Sequence, residues 1–166
     1  MQRAPTNVKI TPSDFARWLH MDVNPASPNF GAIIGQGQLP VPEYFSADWA
    51  SVPYSGQYLW GVGLDQTTAE AYLYRFEQST LNLQVVHFFG DIGLTPTGDL
   101  SFRINFGAVY ASANGFLYGS ENVSGRIYRF TVVPPYTWAF LASGPPTNRN
   151  DGARCIDNVE AIGTYE

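Results

Sequence analysis

The residues of this chain that could do chemistry sit in its polar turns. Asp48, Asp65, Asp91, Glu121, Asn122, Asn150, Asp151 and Asp157 all fall at turns between apolar runs. Carboxylate and amide oxygens are the ligands calcium prefers, so a calcium site is one reading of the cluster. The plainer reading is preferred, that Asp and Asn occupy turns because their side chains bond nearby backbone groups. Glu121 and Asp151 could also pair as the two carboxylates of a hydrolase, although sequence does not set their separation. Aromatic residues recur beside the same turns, and a ring can stack on a sugar face or an apolar small molecule while polar groups fix its orientation. Trp49 and Tyr54 are the rings most open to that role. Arg154 also belongs to the candidate site, because it lies outside the repeat described below. The ligand-binding candidates are therefore Asp48, Trp49, Tyr54, Glu121, Asn150, Asp151 and Arg154.

Other chemistries lack their residues. There is no Gly-x-Ser-x-Gly elbow, no His-Glu-x-x-His and no glycine-rich phosphate loop. The two histidines, His20 and His87, have no metal-pair spacing and read as structural. No metal site and no cofactor other than calcium is expected. A net charge of −5, with Lys9 the only lysine, argues against binding nucleic acid through phosphate neutralisation. No apolar run reaches the length of a membrane span. The amino terminus has no signal-peptide pattern, so Met1 is read as a start from which any targeting sequence was already removed. The single cysteine, Cys155, excludes a disulfide within the chain and a Cys-rich zinc site. Asn122-Val123-Ser124 is a glycosylation sequon in a polar turn, so a glycan is expected on Asn122 if the protein is secreted by a eukaryotic host.

These turns must be positioned by strands. Of 166 residues, 15% are aromatic and only 14% charged, with 16 glycines and 12 prolines, a mixture that suits a turn-rich all-β domain. Gly115-Phe116-Leu117-Tyr118 and Arg126-Ile127-Tyr128-Arg129-Phe130 flank a turn and read as a hairpin. Tyr58-Leu59-Trp60-Gly61 and Leu73-Tyr74-Arg75-Phe76 form a related unit, and Trp18-Leu19-His20-Met21 a weaker copy. His20, Arg75 and Arg129 align, separated by 55 and 54 residues, and each precedes a glycine by 15 (Gly35, Gly90, Gly144). Several short strands per unit at such a period mark propeller blades. Trp60 and Tyr118, at equivalent positions, read as packing between blades, and Arg75 and Arg129 as architecture.

The expected fold is one propeller-type domain over 1–166, an arc of about three four-stranded antiparallel blades at roughly 14–45, 46–98 and 99–152. A helix over Ser13–Met21 is the competing reading of that stretch, and a strand over Trp18–Val23 is preferred. Further strands are expected over Phe30–Ile34 (closed by Gly35-Gln36-Gly37), Ala50–Pro53, Tyr58–Val62, Tyr72–Glu77 and Leu83–Phe89. Gly107–Ala111, Gly115–Gly119, Arg126–Val132 and Thr137–Ala142 complete the set, with Pro134-Pro135 at a hairpin turn. A propeller closes with four to eight blades, so three leave an open edge. A second copy, or a complementary propeller half, is the expected partner. The segment Arg154–Asp157 is expected to pair with that partner, with Cys155 in a disulfide to it or buried as a free thiol.

The words Asp48-Trp49-Ala50, Tyr58-Leu59-Trp60-Gly61, Leu73-Tyr74-Arg75-Phe76, Gly115-Phe116-Leu117-Tyr118, Glu121-Asn122-Val123-Ser124-Gly125 and Asn150-Asp151-Gly152-Ala153-Arg154-Cys155 carry a resemblance. From Trp18 to Cys155 the chain resembles the carboxy-terminal half of a fungal, secreted, propeller-like family classed as a domain of unknown function. The resemblance implies the fold and an extracellular location, and no activity. The functional expectation is a secreted binding module for a glycan or small apolar molecule, rather than an enzyme. One alternative is a fungal secondary-metabolite cyclase or pericyclase, of the Diels-Alderase type, orienting its substrate in an aromatic pocket. The other is a structural assembly module.

Overall fold

The computed structural model describes residues 17–38, 44–45, 48–77, 79–80, 82–98, 103–147 and 150–151. They form eleven strands in three antiparallel sheets and no helix. None of the sheets closes on itself. By contact the chain divides into two compact units, Met1–Glu43 and Tyr44–Glu166. Arg154, Cys155 and the Arg154–Asp157 strand expectation lie outside the described residues.

The first unit holds one two-stranded sheet, β1 (Arg17–Met21) with β2 (Ile33–Gln38). The preferred strand at Trp18 is present. Four strands were expected in this blade, and two are seen among the described residues. The glycines do not end β2, which runs on through Gly35 to Gln38, with His20 facing Gly35. The turn joining the strands is held by Asp22, whose carboxylate accepts from Asn24 N at 2.9 Å and from the Ser27 hydroxyl. Those bonds hold the Asp22 pKa below its ordinary value, the Ser27 hydroxyl most of all.

The second sheet contains β3 (Tyr44–Phe45), β4 (Ala50–Ser51), β5 (Tyr58–Asp65), β6 (Ala71–Glu77) and β7 (Asn82–Gly90). β3 and β4 pair with the same edge of β5, so they form one interrupted outer strand and the sheet is four positions wide. The third sheet is a meander of β8 (Phe106–Ala111), β9 (Phe116–Glu121), β10 (Arg126–Thr131) and β11 (Trp138–Ser143). Both are blade-like, as neighbouring strands in sequence are neighbours in space.

An aromatic–arginine cross-strand pair recurs in both: Trp60 faces Arg75 across β5–β6, and Tyr118 faces Arg129 across β9–β10, two positions nearer the turn. Each guanidinium lies over the ring two residues before that aromatic, Arg75 over Tyr58 at 4.5 Å and Arg129 over Phe116 at 4.6 Å. The first sheet does not share this register. There the bulge residue Ile34 precedes Gly35 as Phe89 precedes Gly90, and the pairs Met21–Ile33 and Tyr72–Phe88 follow. The bulge therefore aligns His20 with Ala71, four residues from Arg75. The glycine spacing that matched all three copies has a different structural meaning in the first.

The core lies between the second and third sheets. The front of the second sheet, with Trp60, Val62, Leu64, Ala71 and Leu73, packs in one apolar cluster with the back of the third, with Val109, Ala111, Leu117, Tyr128 and Phe130. Each such large side chain, fully buried, contributes about 1.5–3 kcal/mol. Gly119 makes room for Phe106, since a Cβ there would stand 2.6 Å from its ring. Tyr128, with its hydroxyl donating to Ile92 O at 3.1 Å, ties the segment after β7 to the core. Burial raises its phenol pKa, against a lowering by Arg126.

Candidate functional site

The candidate residues fall into two groups. One is absorbed by a repeated turn. Glu121 is 1% exposed, and its carboxylate accepts from Val123 N at 2.9 Å, Ser124 N at 2.7 Å and the Ser124 hydroxyl at 2.6 Å. Asp65 does the same in the second sheet, accepting from Thr67 N at 2.7 Å and Thr68 N at 3.0 Å. In both turns the fifth residue has a positive φ, Ala69 at 62° and Gly125 at 70°, and its N–H donates to the first residue's carbonyl. The amide at the second position reaches the segment that leads into β8. Gln66 donates to Ile104 O at 2.8 Å, and Asn122 donates to Asn105 Oδ1 at 2.6 Å. Asp65-Gln66-Thr67-Thr68-Ala69 and Glu121-Asn122-Val123-Ser124-Gly125 are thus one device, an acid, an amide, any residue, a hydroxyl and a small residue.

That turn uses both residues inside the fold. Glu121 spends its oxygens on backbone and hydroxyl donors. Asn122 is 6% exposed and its Nδ2, the atom a glycan needs, faces Asn105 and would stand 2.6 Å from a Cβ at Gly107. A sugar on that nitrogen has no room in this fold.

The second group lines the start of the second sheet and the end of the described chain. Asp48, between β3 and β4, is half-buried and reaches across to the third sheet, accepting from Val109 N at 2.7 Å and from Trp49 N at 2.8 Å. Desolvation raises its pKa, opposed by those two bonds and reinforced by the nearby charge of Asp151. Asp151 is exposed, and Asn150 donates to the Ser120 hydroxyl at 2.9 Å. Trp49 is half-buried, edge-on to Phe76 at 6.5 Å, which makes it partly a packing residue. Trp60 and Tyr118, read from sequence as packing, are 2% and 6% exposed. His87 lies stacked on Tyr136 at 4.8 Å, and His20 is exposed. Among the described residues no group of three or more His, Cys, Asp or Glu is placed to hold a metal ion.

Tyr54 differs from all of these. It lies in the turn between β4 and β5 and is 95% exposed, with φ at 65°. Pro53 precedes it, so it stands where a proline-led turn with positive φ ordinarily takes glycine or asparagine. A side chain there costs about 1–2 kcal/mol. The turn is stiff. The Ser55 hydroxyl donates to Val52 O at 2.7 Å and accepts from the buried Trp60 indole at 2.7 Å. Gly56, also at positive φ, leaves no space for a Cβ beside the Tyr58 ring, which would be 2.8 Å away. A large ring is held out into water on a strained support, and among the described residues it is 95% exposed.

The fold and its repeated turn define an all-β, propeller-type repeat protein. The chain belongs to a family described as a repeat of unknown function (DUF6923), which matches residues 28–157. No curated protein and no solved structure matches the chain.

Proposed function

We propose that this protein is a non-catalytic recognition module that takes a glycan or small apolar molecule on the Tyr54 ring. The observation that carries the reading is the 95% exposed tyrosine at a positive φ. Strain at a position where glycine would relieve it is a mark of use, and a rigidly mounted tyrosine offers contact area at small entropic cost. Asp48 and Asn150 are tied into the fold at Val109 N and the Ser120 hydroxyl, so the Tyr54 ring carries the reading by itself. The reading extends to what the resemblance implies, a module secreted by a fungus and forming the carboxy-terminal half of a longer propeller. Screening the whole chain on a glycan array, beside Tyr54→Ala, tests it. Binding by the wild type that Tyr54→Ala loses, at an unchanged melting temperature, is expected. Equal binding by both proteins refutes the role of the ring.

A further inference from the structure

We infer that Asn114 is a site of spontaneous modification, where the folded protein converts an asparagine into aspartate and isoaspartate through a cyclic imide. Asn114 is the one asparagine in the chain that is followed by glycine. The reaction needs the backbone nitrogen of the next residue to reach the asparagine side-chain carbonyl carbon, and a side chain on that residue hinders the approach. Gly115 has none. Asn114 is exposed at the tip of the β8–β9 hairpin, whose loop is Ala113-Asn114-Gly115. Gly115 closes that loop in the left-handed region, at φ 84°, as a three-residue hairpin loop requires.

The step balances with water as its only co-reactant. Gly115 N loses its proton and bonds to Asn114 Cγ, and Asn114 Nδ2 leaves as ammonia. Water then opens the ring at either carbonyl. One opening gives aspartate. The other gives isoaspartate, in which the main chain runs through the former side chain and is one carbon longer. The brake among the described residues is the bond from Gly115 N to Ser112 O at 3.1 Å. It lies at a loop tip, where local opening is easiest. It can open while Ser112 N still donates to Phe116 O at 2.9 Å and Ala111 stays paired with Leu117.

The other described asparagines are held back by the fold or by their neighbours. Asn122 donates to Asn105, and Asn150 donates to the Ser120 hydroxyl. Asn24 precedes Pro25, whose nitrogen has no proton to lose. Asn29 and Asn105 precede phenylalanine, and Asn82 precedes leucine. At Asn114 either product adds a negative charge to a chain already at −5. The change also falls beside the turn that carries Tyr54, since a Cβ on Gly115 would stand 3.6 Å from Pro53 O.

Ageing the full folded chain in a mildly alkaline buffer tests this, beside Asn114→Gln and a urea-unfolded sample. Isoelectric focusing of the folded wild type should show an acidic band that grows with time. Asn114→Gln should lack that band, because glutamine must close a larger and slower ring. Peptide mapping should place the change at Asn114, with isoaspartate, labelled by an isoaspartyl methyltransferase, present beside aspartate. Should Asn114→Gln fold poorly, the map of the wild type decides by itself. Folded wild type that gains no acidic band overturns the inference, and a band in the unfolded sample alone would show that the Gly115 bond locks the nitrogen. Faster change at another asparagine, an equal band in Asn114→Gln, or aspartate without isoaspartate overturns it as well.

Discussion

The repeated turn allows one substitution to be set against its mirror image. Ala69 and Gly125 hold the same place and nearly the same φ, but only Gly125 is hemmed in by backbone. A Cβ at Gly125 would meet the carbonyl oxygen of Gly144, and would stand 2.9 Å from the carbonyl carbons of Gly144 and Pro145. Gly125→Ala therefore carries the left-handed penalty of about 1–2 kcal/mol. It also pushes away the chain that donates from Gly144 N to Gly125 O at 2.7 Å and from Thr147 N to Asn122 O at 2.8 Å. Losing one or two such bonds adds about 1 kcal/mol each, for a total of about 3 kcal/mol. For a chain of this length that lowers the melting temperature by about 6–12 °C. Ala69→Gly releases the same strain, but loses a buried methyl group worth about 0.8 kcal/mol and frees the unfolded backbone by about 0.5–1 kcal/mol. Its net effect should be within about 1 kcal/mol of zero. Urea unfolding followed by tryptophan fluorescence reads both variants. Equal small effects would show that the Gly125 turn is not packed against Gly144 and Pro145, and the argument would fail.

Glu121→Gln should cost about 2 kcal/mol, because one acceptor oxygen is replaced by a donor among three donors, and chemical denaturation checks it. Asp48 gives a pH signature. Its folded pKa lies above the ordinary 3.8, so its charged form is disfavoured on folding, and this group's contribution falls as pH rises through the window between the two values. Over that window the wild type should lose stability relative to Asp48→Asn as pH increases, and Asp151→Asn should narrow the window; parallel denaturation curves at stepped pH would show the opposite slope if the sign were wrong. Expression in a eukaryotic host should yield folded protein whose intact mass carries no sugar on Asn122, and a fully occupied, folded product would contradict the burial of its amide.

Strand positions in the second and third sheets were legible because aromatic and apolar residues alternate there with turn residues, and because Arg75 and Arg129 each face an aromatic across a hairpin. The first sheet was less so. Gly35 and Gly37 read as stops, yet a strand tolerates glycine where a bulge bends it, and β2 continues past both. The repeated turn was present in the sequence at a 56-residue spacing from Asp65 to Glu121. It went unrecognised because Ala69 stands where Gly125 signals the turn, and a left-handed alanine has no signature in composition. For the same reason Glu121 and Asn122 passed as site residues, since a polar residue in a turn reads alike whether its side chain faces water or its own backbone. Tyr54 was singled out for its type, while the feature that sets it apart, its φ, emerges only in the fold.

Tyr54→Gly offers the most direct test, because strain and recognition then move in opposite directions. Relief of about 1–2 kcal/mol from the left-handed backbone, less about 0.5–1 kcal/mol of glycine entropy, leaves the variant between about equally stable and about 1.5 kcal/mol more stable. Equilibrium unfolding and titration against the strongest array hit, both run on wild type and Tyr54→Gly, should show equal or higher stability together with at least about a tenfold loss of affinity. A variant that is no less stable and binds as well as the wild type, or one that is less stable, would contradict the account.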